Sequence, residues 1–157
     1  MLAACMFALG GYFFLLVGGV MAQFASIIDG CDGEVARLKY LSSDYGGWFD
    51  AVLDRYADAF LLFGLTWHVY SRDLSSWALG IGFLAIIGSF MLSYTADKYD
   101  NLMKNRIQKG VRMGRDVRVF LIFLGAILNQ AYLVLIVVAV LMNLETIRRI
   151  VICRNDK

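Results

Sequence analysis

Residues 29–54, DGCDGEVARLKYLSSDYGGWFDAVLD, place six acidic side chains between two strongly apolar segments. The preceding segment, residues 11–28, reads GYFFLLVGGVMAQFASII. It is apolar enough to cross a bilayer core, which takes about 20 residues of helix. Charges at membrane depth are costly and are usually found where they bind or react. The acidic stretch therefore indicates a functional site beside a membrane.

The composition of the whole chain also favours a membrane protein. Of the 157 residues, 60% are hydrophobic, whereas an average soluble domain has about 45–50% apolar residues. The formal net charge is only +2, so we expect no nucleic-acid partner. The three cysteines, Cys5, Cys31 and Cys153, are far apart and form no CxxC pattern, which disfavours a structural disulfide or a zinc site.

Hydropathy predicts an all-α fold, a polytopic transmembrane bundle in a lipid bilayer. Its five full or partial spans are residues 11–28, 47–69, 77–96, 117–128 and 131–144. Residues 1–9 are too short to cross, and we interpret them as the tail of a truncated first helix. The whole chain, 1–157, is accordingly predicted to be one membrane domain whose N-terminal part is incomplete.

The distribution of Lys and Arg predicts which side of the membrane holds the acidic stretch. Positive residues mark cytoplasmic loops. The segments 31–45 and 98–118 and the C-terminal tail together carry thirteen, whereas the loop 70–76 carries one. We therefore expect a multi-pass integral membrane protein with its active site on the cytoplasmic side.

Helical periodicity predicts that the acidic stretch forms two facing stripes. The first helix presents on one face Asp29, Asp32, Gly33, Ala36 and Arg37. The next helix, which we expect to begin near Gly46, presents Asp50 and Asp54 on one face. Two adjacent helices would then bring four aspartates together, with three very small residues and one arginine beside them.

Four converging carboxylates repel one another unless cations offset their charge. Hard ions such as Mg²⁺ bind carboxylate oxygens together with substrate phosphates, and two ions about 3.5–4 Å apart suit displacement at phosphorus. The small residues leave room for a base or a diphosphate, and Arg37 can offset remaining phosphate charge. The pattern therefore predicts a site for two Mg²⁺ ions, with Mn²⁺ as an alternative.

Other polar residues nearby receive a structural interpretation. Glu34 and Asp44 are interpreted as a helix cap or as solvated acids. Asp58 lies one turn deeper than Asp54, and we assign it a structural role as the ion-pair partner of Arg55. The alternative that Asp58 orients the metal ligands stays open. His68 lies near the outer end of its span and is not expected to be catalytic.

The pattern Asp29-x2-Asp32-Gly33-x2-Ala36-Arg37-x8-Gly46-x3-Asp50-x3-Asp54 resembles, at every spacing, the signature of the CDP-alcohol phosphotransferase family. The resemblance implies a fold of six transmembrane helices, a homodimer, and an enzyme that transfers the phosphoalkyl group of a CDP-alcohol to a second alcohol and releases CMP. It implies that the metal ligands are Asp29, Asp32, Asp50 and Asp54. It also implies that Asp54 is the general base and that the nucleotide site is lined by Asp32, Gly33, Ala36, Arg37 and Gly46.

The segment 93–120, SYTADKYDNLMKNRIQKGVRMGRDVRVF, bears on the acceptor. Arg115 and Arg118 are three residues apart and so point the same way on a helix, and paired arginines suit an acceptor phosphate. The segment resembles one branch of the family, the di-myo-inositol-phosphate phosphate synthases. That branch joins CDP-inositol to inositol 1-phosphate, and some members carry a preceding soluble cytidylyltransferase domain. The resemblance therefore implies a sugar-phosphate acceptor.

Several alternatives stay open at this point. A phospholipid synthase of the same family would use CDP-diacylglycerol or CDP-archaeol with inositol phosphate or glycerol phosphate. A divalent-cation channel or transporter would place acids along the depth of the membrane, whereas here they cluster at one face. An inactive scaffold subunit is disfavoured by the complete set of aspartates.

Overall fold

The computed structural model describes residues 1–38, 43–96, 99 and 114–154, and no strand occurs in these ranges. The helices delimited there are α1 (Leu2–Leu9), α2 (Tyr12–Leu38), α3 (Asp44–Asp73), α4 (Ser76–Tyr94), α5 (Arg115–Ile127) and α6 (Ala131–Arg154). The all-α prediction is confirmed for this part of the chain. The basic residues between 100 and 113 lie outside the described ranges.

Local sequence explains where the helices begin and end. Gly10 and Gly11 separate α1 from α2 with φ angles of 77° and 80°, which residues other than glycine rarely adopt. Ser43 caps α3, because its hydroxyl accepts a hydrogen bond of 3.0 Å from the Gly46 N–H. Helix α3 therefore begins slightly earlier than expected, and its cap is Ser43 rather than Asp44.

Within the described ranges, two helices are long and apolar enough to cross a membrane, Tyr12–Asp32 in α2 and Ser76–Tyr94 in α4. Many large apolar side chains also face outward, and Phe13, Trp77 and Phe83 are each more than 60% exposed. Such an apolar exterior suits contact with lipid. Membrane association is therefore supported. The other predicted spans fall within α3, α5 and α6, and their crossing of the membrane stays a prediction.

The helices pack closely through small residues at their crossings. A Cβ at Gly82 of α4 would lie 2.2 Å from Thr66 Oγ1 of α3, and a Cβ at Gly125 of α5 would lie 2.2 Å from Val134 Cγ2 of α6. Small residues allow the backbones of apolar helices to approach in this way. The result is a bundle in which α2, α3 and α5 meet at one end, with the acidic positions on the first two.

Candidate active site

Three of the four predicted metal ligands converge in the structure. Asp29 extends from α2, and Asp50 and Asp54 extend from successive turns of α3. One carboxylate oxygen of each lies within 4.8 Å of the other two. Asp32, three residues farther along α2, is exposed and does not belong to this group.

The predicted nucleotide-binding positions are only partly described. The side chains of Ala36 and Arg37, and the surroundings of Gly33, lie outside the described residues. Gly46 lies in the first turn of α3, and its neighbour Gly47 lines a cavity beside the aspartates. The nucleotide-binding role of these residues therefore stays a prediction.

Arg115, the first residue of α5, lies among the aspartates. Its Nη1 donates to Asp29 Oδ2 at 2.6 Å and also to Asp54 Oδ1, and its Nε lies 3.6 Å from Asp58 Oδ1. One guanidinium thus links α2, α3 and α5. Burial alone would lower the pKa of Arg115, but the negative charges of Asp54, Asp58 and Asp29 raise it above its usual value, so the side chain stays charged.

One turn deeper, Asp58 and Arg118 form a closed ion pair. Arg118 Nη2 donates to Asp58 Oδ2, and Arg118 Nη1 donates to the Ser89 carbonyl at 3.4 Å. Both side chains are at most 5% exposed. Arg55, the partner expected for Asp58, is farther away, with its Nη2 at 3.9 Å from the carboxylate. The ion pairing of Asp58 thus agrees with a structural role, but its main partner lies on another helix.

A cavity of about 580 Å³ opens beside this network. Its polar lining includes Asp50, Asp54, Arg55, Arg115, Asp116, Arg118 and Arg149. Residues of α3, α5 and α6 line this cavity, and both acidic and basic side chains are among them. It is large enough for a ligand with phosphate groups, since small-molecule pockets are commonly about 300–1,000 Å³.

Arg149 of α6 is the residue that sequence analysis missed, because it was counted only as a topological charge. Its Nε donates to Glu145 Oε1 at 3.3 Å and its Nη1 to the Leu92 carbonyl at 3.1 Å. Its guanidinium also lies 5.0 Å from the centre of the Tyr99 ring. The signal that could have found it is the Glu145–Arg149 pair at i, i+4 on a mostly apolar helix, where charges tend to be functional.

The donor set of the cluster fits a hard divalent cation. All the contributing atoms are carboxylate oxygens, which suit Mg²⁺ or Mn²⁺ better than softer metals. Asp29 and Asp54 are 41% and 21% exposed, so an ion from solvent can reach both carboxylates. Asp29, Asp50 and Asp54 would hold such an ion, and the described geometry leaves Asp32 to one side.

His68 lies at the opposite end of α3 from the cluster. At 1.5 Å rise per residue, Asp54 and His68 are about 21 Å apart along the helix axis. The His68 ring is buried and its Nδ1 lies 3.2 Å from the Phe7 carbonyl oxygen. Its position agrees with the expectation that it takes no part in catalysis.

Comparison with known proteins points to one family. A profile described as CDP-alcohol phosphatidyltransferase matches residues 1–151. A bifunctional IPC transferase and DIPP synthase from Rubrobacter xylanophilus is 35% identical over 145 residues, which cover 91% of this chain and 32% of that protein. Its counterpart from Aquifex aeolicus is 36% identical over 157 residues, covering 96% of this chain and 36% of that protein.

A third similar protein carries a different name. An archaetidylinositol phosphate synthase from Pyrococcus horikoshii is 29% identical over 135 residues, which cover 86% of this chain and 68% of that protein. The chain thus spans only about a third of the length of the two bifunctional relatives. The similarity to them concerns one part of those proteins.

Proposed function

The chain belongs to the CDP-alcohol phosphatidyltransferase family, and from that premise we propose that it transfers a phosphoalcohol group from a CDP-alcohol to the hydroxyl of a second alcohol, with release of CMP. The proposed donor is CDP-inositol and the proposed acceptor is inositol 1-phosphate. Similarity to two proteins named as DIPP synthases supports this choice, at 35% and 36% identity.

The observation that carries the proposal is the convergence of Asp29, Asp50 and Asp54 beside a cavity that also presents arginines. Divalent ions bound by these carboxylates would neutralise a diphosphate and orient its phosphorus for displacement. Asp32, which lies outside the cluster in the structure, is the proposed fourth ligand. Such a site needs charge neutralisation and alignment more than a covalent nucleophile.

Asp54 is the proposed general base, because it lines the cavity and remains partly exposed. Its carboxylate takes the proton of the attacking hydroxyl as the hydroxyl oxygen bonds to the phosphorus that bears the donor alcohol. The bond from that phosphorus to the oxygen of CMP breaks, and CMP leaves. Each bond formed is thus matched by one bond broken, and the proton ends on Asp54.

The arginines of the cavity are the proposed partners of the acceptor phosphate. Arg115 is better placed to bind it than Arg118, because its side chain is 19% exposed and that of Arg118 is 3% exposed. Arg118 donates to Asp58 and is therefore not available to bind the acceptor phosphate. It instead adds to the positive potential of the cavity and fixes the position of α5. Arg149 lines the same cavity from α6, and with Arg55 it brings the number of arginines there to four.

The decisive experiment offers the purified protein CDP-inositol or CDP-diacylglycerol, each with inositol 1-phosphate and Mg²⁺. Products are identified by mass spectrometry, and CMP is quantified. We expect an inositol-containing phosphodiester product only with CDP-inositol. Asp54→Asn should abolish it, whereas Asp73→Asn, the same change at the exposed far end of α3, serves as a matched control. Absence of CMP with every donor would refute the proposal.

A lipid donor is the second candidate, and a groove in the structure favours it. The groove, of about 540 Å³, lies between α2 and α5, is mostly apolar, and shares Asp116 with the site cavity. Its position on α2 beside Gly30, next to Asp29, would suit the chain of a lipid donor. The relative named archaetidylinositol phosphate synthase agrees with this alternative. Product formed only with CDP-diacylglycerol would establish it.

The proposed topology is multi-pass, with the site in the cytoplasm, and the proposed assembly is a homodimer. The asymmetry of Lys and Arg residues supports the orientation. Cys31 and Cys153 offer a test, because both lie near the predicted cytoplasmic side and neither is fully buried. A membrane-impermeant maleimide should label them in inside-out vesicles and not in right-side-out vesicles.

A cation channel or transporter is disfavoured by the same geometry. The acids that cluster lie at one end of the bundle, and the next acid deeper in α3, Asp58, is closed off by Arg118. A pathway for ions would need further acidic or polar groups along the depth of the membrane. Metal flux into proteoliposomes would distinguish the two classes, and we expect none.

A further inference from the structure

We propose that Arg115 couples the binding of divalent metal to the binding of the acceptor phosphate. Its guanidinium binds the metal-ligating carboxylates when metal is absent and binds the acceptor phosphate when the acceptor is present. The inference rests on the proposed function and deepens it. Arg115 Nη1 donates to Asp29 and Asp54, two of the carboxylates that would hold metal. Metal and Arg115 therefore compete for the same negative charge.

The competition follows from the strength of these contacts. Hydrogen bonds between charged groups are about twice as strong as neutral ones, and here a single Nη1 contacts two carboxylates from different helices. A divalent ion that binds the same carboxylates must displace the guanidinium or share the carboxylates with it. Positive charges close together repel, so Arg115 would be held less strongly by Asp29 and Asp54 when these carboxylates bind a divalent ion.

Arg115 also has a donor free for another ligand. Its Nε is buried, and it makes no hydrogen bond within the part of the chain that the structure describes. The nearest acidic oxygen, Asp58 Oδ1, is 3.6 Å away, beyond hydrogen-bond distance. A buried N–H without a partner is costly, and a phosphate oxygen in the adjoining cavity would satisfy it. Arg118 offers no such alternative, because Asp58 and the Ser89 carbonyl hold it.

Coupling follows from these two roles by thermodynamic linkage. An acceptor phosphate that draws Arg115 away from Asp29 and Asp54 leaves those carboxylates free for metal, so metal binds more tightly. By reciprocity, bound metal strengthens the binding of the acceptor by the same factor. The catalytic ions and the acceptor would therefore assemble together, and the carboxylates would be fully committed to metal only when the acceptor is present.

The experiment measures Mn²⁺ binding to the purified protein by electron paramagnetic resonance of the free ion, without any nucleotide. Titrations are run with and without inositol 1-phosphate, and binding of Mn²⁺ by the phosphate itself is subtracted from a protein-free titration. Wild type is compared with Arg115→Gln and Arg115→Lys. Arg148→Gln is the control, because it removes the same charge from a residue that is 48% exposed and pairs with Glu145.

Three results are expected. Arg115→Gln binds Mn²⁺ about tenfold more tightly than wild type, a change of roughly 1.4 kcal/mol that a charge-assisted hydrogen bond can supply. Inositol 1-phosphate tightens Mn²⁺ binding in wild type and in Arg148→Gln but not in Arg115→Gln. Arg115→Lys falls between, because an ammonium keeps the charge but lacks the planar fork.

Two results would overturn the proposal. Unchanged or weaker Mn²⁺ binding in Arg115→Gln would mean that Arg115 does not compete with metal. An absence of any effect of inositol 1-phosphate in wild type would mean that there is no coupling, and this test needs no variant to fold. Because no CDP compound is present, this outcome does not depend on the transferase assay. If Mn²⁺ and inositol 1-phosphate bind cooperatively but no CMP is released in that assay, the proposed coupling stands and only the proposed reaction is refuted.

Discussion

Two of the ion pairs that connect α3 to α5 lie one turn apart, and they have the same chemistry but differ in their exposure to solvent. Asp54 pairs with Arg115, and Asp58 pairs with Arg118. The outer pair has side chains 21% and 19% exposed, whereas those of the inner pair are 5% and 3% exposed. The outer pair also lies beside two further carboxylates, Asp29 and Asp50.

The comparison shows how one stripe of acids can serve two purposes. The inner pair is complete, since Asp58 and the Ser89 carbonyl together bind the Arg118 guanidinium. The outer pair has an excess of negative charge and a cavity beside it, so its members can change partners. We therefore assign chemistry to the outer pair and the relative position of α3 and α5 to the inner pair.

The largest effect is expected from Asp54→Asn. Loss of the proposed base and metal ligand should reduce turnover by at least about 10²–10⁴-fold, the range of general base catalysis. Thermal stability in detergent should change little, because the side chain is partly exposed. CMP release and a melting curve measure both. Full activity would show that the base is another residue.

The opposite pattern is expected from Asp58→Asn. Breaking a buried pair leaves the Arg118 charge without its partner and typically costs about 3–5 kcal/mol in the free energy of unfolding. The double variant Asp58→Asn/Arg118→Gln should recover part of this loss, because it removes both charges. Denaturation in detergent of the two single variants, Asp58→Asn and Arg118→Gln, and of the double variant measures the coupling. If Asp58→Asn were as stable as wild type, the structural role assigned to the inner pair would be wrong.

Addition of Mg²⁺ should also distinguish the outer pair from the inner pair, through a smaller change in stability. Mg²⁺ at 100 times its dissociation constant should stabilise the wild type by about 2.7 kcal/mol, because it binds the folded state alone. The Mg²⁺-dependent rise in melting temperature should persist in Asp58→Asn and disappear in Asp54→Asn. A rise that persists in Asp54→Asn would place the metal elsewhere.

The smallest effect is expected from His68→Gln, at the far end of α3. The change removes the contact of the ring with the Phe7 carbonyl and should cost about 1 kcal/mol of stability, the usual net worth of a hydrogen bond. Turnover and the affinities for both substrates should match wild type. Steady-state kinetics measure this, and a large loss of turnover would contradict the placement of chemistry at the opposite end.

Local patterns predicted the parts of this molecule that depend on neighbours in the chain. The shared face of Asp50 and Asp54 follows from helical periodicity, and the structure places their carboxylates together. The family was predicted from the aspartate pattern and is confirmed. The roles of Asp32 and Gly33, the homodimer, and a preceding cytidylyltransferase domain stay predictions.

The partners of the charged residues could not be predicted in the same way. Arg115 and Arg118 share a face of α5, and the sequence indicated a common role for them. The structure separates them, because Arg118 lies one turn deeper and is enclosed by Asp58 and Ser89. Arg149 reaches the cavity from α6, 95 positions after Asp54 in the chain. Such contacts depend on how the helices cross, and the spacing of residues within one helix does not determine this.

The sequence by itself determined that this chain is helical, apolar and equipped with a row of carboxylates at fixed helical spacing, because periodicity and hydropathy are properties of short segments. Only the tertiary structure decided which carboxylates meet, which arginine each one binds, and which pair stays open to a cavity. The physical reason is that the energy of a charge depends on its partners and on its access to solvent, and both are set by residues far away in the chain.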